Sequence, residues 1–195
     1  MQLCSIENKT TPNNNLLQQV KETKLLGVII SDDLTWHSNT HNLVKKAYQR
    51  MIILRNLYQF NVPEEDMIKI YVLFIRSVVE QSCVVWASSI TVEEQNALER
   101  TQKCALRLIY KDRYECYSNG LLLSQLPTLS QRRSQLSYHF AVKCTQNEKT
   151  KDMFPLKQKT ANTRNTEKYI VPFAHTSRLA NSAINSMARQ LNQKL

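Results

Sequence analysis

The chain has 195 residues, 42% of them apolar and 22% charged, so it can bury a real core and carries an ordinary charge density for a water-soluble protein. Lys and Arg outnumber Asp and Glu by 26 to 16, a net charge of +10. That excess points to an anionic partner, nucleic acid first and an acidic membrane surface second, with a basic but unspecialised surface as the plainer reading. Two glycines in the whole chain disfavour a turn-rich β-protein, because hairpins and helix caps repeatedly need positive φ.

Residues 1–14 are polar and read as a loose leader. Leu16-Leu17-Gln18-Gln19-Val20 and Lys24-Leu25-Leu26-Gly27-Val28-Ile29-Ile30 are short apolar runs separated by Lys21-Glu22-Thr23, which predicts a β-hairpin within 15–36. From Ser38 to Phe60 the period becomes helical, with Leu43, Val44, Ala47, Met51, Leu54 and Tyr58 at spacings of three and four. Pro63 starts a second helix reaching about Ser82, with Glu64, Glu65 and Asp66 in its first turn. It is apolar nearly all round, which predicts a position in the middle of a bundle. Lys69, Arg76, Glu80 and Gln81 interrupt this stretch too often for a membrane span.

Thr91 with Glu94 forms a capping box opening a third helix to about Tyr110, with Ala97, Leu98, Thr101, Ala105 and Leu108 inward. Residues 111–120 read as a loop and 121–126 as a helical turn ended by Pro127. A last helix begins after Thr128 or Ser130 and runs to about Thr145, with Leu136, Phe140, Ala141 and Cys144 on one face. Residues 148–195 hold nine Lys/Arg against three acids and read as a basic tail, much of it mobile or ordered by a partner. The fold class is therefore mainly α: a helical bundle over 37–147, with a short N-terminal β-hairpin and a partly disordered basic tail.

The candidate chemistry is sparse. Asp32-Asp33 after an apolar strand has the look of a two-metal carboxylate pair, but a polymerase site needs a further carboxylate from a neighbouring strand, and two Asp residues also simply end strands. His37, His41, His139 and His175 show no metal-ligand spacing. No phosphate loop can be built from Gly27 and Gly120, and no catalytic triad is legible. Catalytic residues, metal and cofactor are thus all assigned as none. The five cysteines, Cys4, Cys83, Cys104, Cys116 and Cys144, are scattered, and three of them lie in apolar helical contexts. Free thiols in an intracellular compartment, nuclear or cytoplasmic, fit that pattern, as does the lack of a signal-length apolar run at the N-terminus.

The basic residues say more. Arg100, Lys103, Arg107 and Lys111 stack on one face of the third helix; Lys46 and Arg50, with Lys45 beside them, pair on the first; Arg132 and Arg133 open the last. Such faces suit phosphates contacted without sequence readout, although a solvated charged face is always the simpler alternative. Trp36 and Trp86 sit in apolar surroundings and read as core. Tyr110, Tyr114 and Tyr117 interleave with Lys111 and Arg113, either as a base-stacking platform or as a structural loop.

Several short motifs occur in one order: Lys24-Leu25-Leu26-Gly27-Val28 with Leu34-Thr35-Trp36, Lys46-Ala47 with Arg50 and Leu54-Arg55, and Ile70-Tyr71 with Ile75-Arg76, Val79-Glu80 and Val85-Trp86. Leu98-Glu99 with Gln102, Ala105-Leu106-Arg107 and Ile109 follows, then Leu126-Pro127, Arg132-Arg133, Phe140-Ala141, Phe154-Pro155 and Arg189-Gln190-Leu191-Asn192. This order resembles the region after the catalytic palm in reverse transcriptases of non-LTR (LINE-type, jockey-like) retrotransposons. The resemblance covers about residues 16–192. Gln81, Val84 and Ala183-Ile184-Asn185 depart from the pattern. The resemblance implies a hairpin from the palm end or primer grip, a helical thumb and a C-terminal segment. It places the metal-binding Asp pair upstream, in a Phe/Tyr-x-Asp-Asp hairpin distinct from Asp32-Asp33. The implied partners are the backbone of an RNA–DNA or DNA duplex and an upstream polymerase palm, with no membrane. The rival expectation is a non-catalytic helical structural or interaction domain, or an inactive transposon remnant.

Overall fold

The computed structural model describes residues 20–157 and 168–193. Strands β1 (Glu22–Leu25) and β2 (Val28–Ser31) form an antiparallel hairpin, followed among the described residues by helices α1 (His37–Gln59), α2 (Glu64–Ile70), α3 (Ser77–Glu80), α4 (Cys83–Trp86), α5 (Val92–Tyr110), α6 (Tyr117–Ser124), α7 (Leu129–Gln146), α8 (Ser177–Ala180) and α9 (Ala183–Gln193). The fold is mainly helical with an N-terminal hairpin, as the sequence predicts.

The hairpin turns at Leu26-Gly27, not at the expected Lys21–Thr23, and pairs Leu25 with Val28. Leu26 has φ +48° and Gly27 φ +88°, the two positive values a tight two-residue hairpin requires, so one of the scarce glycines sits where a turn demands it. The expected first strand at 16–20 falls, apart from Val20, outside the described residues, as does the expected leader. β1 is exposed throughout. β2 lies on α1, where Asn39 accepts the Ile29 N–H at 3.1 Å and Val28 joins the core.

Helices α1 and α5 lie side by side and run in the same direction. His37 meets Glu94 at 3.6 Å near one end, Tyr48 stands beside Cys104 and Arg100, and the Lys111 ammonium sits 3.2 Å from the Tyr58 ring centroid at the other end. Each helix contributes an apolar stripe at helical spacing: Leu43, Ala47, Met51 and Leu54 from α1, and Leu98, Ala105, Leu106 and Ile109 from α5. The parallel arrangement requires α2 to α4 to carry the chain back across the bundle. They do so in one nearly continuous rod, α2 passing through a π-helical segment, Tyr71–Arg76, into α3.

The rod buries Met67, Tyr71, Ile75, Val78 and Val79 but leaves Leu73 and Phe74 more than half exposed. Its all-round apolar sequence had predicted a central position. It is instead buried on one face only, with Leu73, Phe74 and Ser77 turned to solvent. Ser82 takes the left-handed conformation, breaking the rod before α4, and Trp86 is fully buried with its indole N–H donating to the Gln81 carbonyl at 3.0 Å. Trp36 packs half-buried against the same core.

The expected capping box is present at Thr91/Glu94, and a second forms at Thr128/Gln131. Residues 117–120, expected as loop, are the first turn of α6, with the Cys116 sulfur accepting from the Asn119 N–H. Gly120 is needed there because a Cβ would come within 2.8 Å of the Tyr114 ring. On α7, Ala141 and Cys144 are buried as expected, while Phe140 turns to solvent.

The stretch expected as a partly disordered tail contains a second core. Met187, Ala188 and Leu191 of α9 pack with Phe154 and with Ala141 and Cys144 of α7, flanked by Tyr169 and Val171. Asn192 ties this layer down by accepting from the Lys168 and Tyr169 N–H groups and donating to the Tyr169 carbonyl. Residues 158–167, also in that stretch, lie outside the described residues.

One side chain links four elements through polar contacts inside the core. Gln102 of α5 is fully buried; its Oε1 accepts from the Tyr71 hydroxyl at 2.8 Å, and its Nε2 donates to the Tyr117 hydroxyl at 3.0 Å and the Pro127 carbonyl at 2.9 Å. Tyr117 in turn donates to Glu99, which also accepts from the Leu129 and Ser130 N–H groups at the start of α7. Gln102→Leu keeps the shape but strands the Tyr71 hydroxyl and the Pro127 carbonyl, and is expected to cost about 2–3 kcal/mol, measured by urea unfolding.

Candidate nucleic-acid interface

Arg100, Lys103 and Arg107 are all exposed and form one stripe along the outer face of α5, opposite the face that buries Leu98 and Ala105, and Lys111, the helix C-cap with φ +39°, is exposed just beyond them. From Arg100 to Arg107 the stripe runs about 10 Å at helical rise. Among the described residues none of the four has a carboxylate partner. Lys103 and Lys111 are oriented by aromatic rings, the former 5.0 Å from the centre of Tyr117 and the latter over Tyr58.

The stripe has aromatic borders. Tyr48, nearly half exposed, stands on the α1 side next to Arg100 and Cys104, and burial pushes its hydroxyl pKa up. Tyr114, close to Arg107, and Tyr117 stand on the other side, and burial raises the pKa of both. Tyr117 is committed to Gln102 and Glu99, so it supports Lys103 rather than standing as a free stacking platform. Arg55 lies seven residues beyond Tyr48, on the same face of α1, and is exposed. The sequence reading missed it; the i, i+7 relation to Tyr48 was the available signal, but which flank of α1 faces α5 was not.

The other basic candidates part company. Lys45 is exposed and Lys46 half-buried. Arg50 lies on the flank of α1 that faces the rod, where its Nη1 donates to the Phe74 carbonyl at 2.6 Å, away from the α5 stripe. Arg132 is only partly exposed and donates through Nε to Glu80 at 3.3 Å. Arg133 does not reach the surface: it is 3% exposed, and burial lowers its pKa against the pull of Glu99. Helix α7 turns it inward beside Cys83, so it cannot contact a nucleic-acid backbone.

Asp32 and Asp33 form the turn after β2. Asp33 Oδ1 accepts from the Thr35 N–H at 3.0 Å and the Thr35 hydroxyl at 2.9 Å; the Ser31 hydroxyl and these Thr35 donors hold its carboxyl down to about 2. That is a turn-capping carboxylate. Among the described residues no three His, Cys, Asp or Glu side chains come together in a way that could hold a metal ion.

Of the four cysteines within the described residues, all free, Cys83 and Cys144 are buried, Cys104 is half-buried and Cys116 is exposed. Burial, reinforced by Glu80, pushes the Cys83 thiol up to about 11. A thiol raised that far stays protonated at pH 8, so iodoacetamide is expected to label Cys116 in the native protein and leave Cys83 unmodified until unfolding. Peptide mass mapping checks this, and early Cys83 labelling would contradict it. No family model, curated protein or solved structure matches the chain.

Proposed function

We propose that this chain is the thumb-like region of a non-LTR retrotransposon reverse transcriptase and grips a primer–template duplex through its phosphates, without catalysing transfer itself. The observation that carries the reading is the α5 stripe: three cations on one helix face with Lys111 at its C-cap, none of them paired to a carboxylate among the described residues. Cations so placed meet phosphates by counterion release, which gives affinity without base readout. The ordered motifs from Lys24 to Asn192 supply the family part of the proposal.

The experiment is a salt titration of duplex binding. The full chain is expected to bind a short RNA–DNA duplex and a DNA duplex of unrelated sequence alike, with affinity falling steeply as salt rises. Replacing Arg100, Lys103 and Arg107 together by Ala is expected to flatten the slope of log affinity against log salt by about 2–3. Binding of unchanged affinity and slope in that variant overturns the reading.

A helical interaction domain is the second reading, and the exposure of Leu73 and Phe74 on the rod favours it. It predicts no salt-dependent duplex affinity at all.

A further inference from the structure

A second basic feature shares no residue with the α5 stripe. Arg76 of the rod and Arg132 of α7 line an open cleft of about 750 Å³ between α6 and α7, together with Gln125 and Gln135. Arg76 is 9% exposed.

One carboxylate serves both guanidiniums, and only through their inner nitrogens. Arg132 Nε lies 3.3 Å from Glu80 Oε1, and Arg76 Nε lies 3.0 Å from the same oxygen without hydrogen-bond alignment. Their Nη groups donate to no acceptor among the described residues. The free Nη groups matter because a guanidinium fork presents paired N–H groups in the geometry that two oxygens of one anion accept. The α7 N-terminus is already closed by Glu99 and the Thr128/Gln131 box, so the arginines rather than helix N–H groups are the free donors here.

We infer that the α6–α7 cleft is a phosphoryl-binding site in which Arg76 and Arg132, pinned from behind by Glu80, clamp the phosphate of a nucleotide. Glu80 neutralises one of the two charges and fixes both forks, so the pair retains one net positive charge toward the cleft. Gln125 and Gln135 supply neutral polar contacts. Leu122, almost fully exposed, and Pro127 form an apolar wall for the sugar and base. The phosphate can come from a free nucleotide or from the end of a nucleic-acid strand. Its recognition chemistry is the same, and it is independent of the duplex grip proposed for α5.

The test uses the full chain and calorimetric titration with two probes: thymidine diphosphate, and hexathymidylate with either a 5′-phosphate or a 5′-hydroxyl. Thymidine diphosphate binding identifies the free nucleotide as a ligand; binding of the phosphorylated hexamer alone identifies a strand end. Every titration is made in the Arg100/Lys103/Arg107 triple Ala background, which removes the α5 phosphate contacts, and there Arg132→Gln is expected to weaken binding about ten- to hundredfold. Arg76→Lys, which keeps the charge and loses the fork, is expected to weaken binding as well while melting within a few degrees of the parent. The inference falls if neither probe binds in that background, if the 5′-hydroxyl hexamer binds there as well as the phosphorylated one, or if binding survives Arg132→Gln.

Discussion

The described fold depends on a single buried amide. Gln102 sits where α5 meets the rod, α6 and the α6–α7 joint, and each of those neighbours contributes one polar group to it: the Tyr71 hydroxyl, the Tyr117 hydroxyl and the Pro127 carbonyl. A buried amide left unmatched would cost more than the network returns, so the arrangement holds only when all three partners are in register. This directional constraint comes on top of apolar burial, which fills the core but does not by itself specify where α6 and α7 dock. Glu99 extends it by holding Tyr117 and the first N–H groups of α7 together.

That constraint also sets the surface. Once Gln102 and Leu98 face inward, the helix period leaves Arg100, Lys103 and Arg107 nowhere to go but outward. The parallel course of α1 then places Tyr58 under Lys111, while α6 places Tyr117 under Lys103, so the lysines are oriented by rings whose hydroxyl or packing roles lie in the scaffold. The stripe is a by-product of satisfying the core, and for that reason it is rigid.

The arginines show how little residue type alone decides. Arg132 and Arg133 are adjacent, yet one shares Glu80 with Arg76 at a cleft and the other is sealed against Cys83. A helix turns 100° per residue, so neighbours in sequence face different surroundings, and a doublet of cations at a helix start cannot both join one surface. Arg50 pairs in sequence with Lys46 but is drawn to the Phe74 carbonyl of the π segment, on the far flank of α1 from α5.

Helical period, capping boxes and proline positions were sufficient to read α1, α5 and α7 from the sequence to within about two residues, because those signals are local and repeat over several turns. The α5 stripe was legible for the same reason. The hairpin register was not: Leu25-Leu26-Gly27 reads as part of an apolar run, and only the positive φ at Leu26 and Gly27 reveals the turn. Nor was the packing of Met187, Ala188 and Leu191 on α7 legible, since a sparse apolar stripe in a basic stretch has no meaning until a complementary face is supplied. The sequence by itself thus determined a basic, mainly helical protein with one charged face on its third long helix. The tertiary structure alone decided the parallel pairing of α1 with α5, the burial of Arg133 and the meeting of Arg76 with Arg132 on Glu80, because each joins residues tens of positions apart through contacts no local pattern encodes.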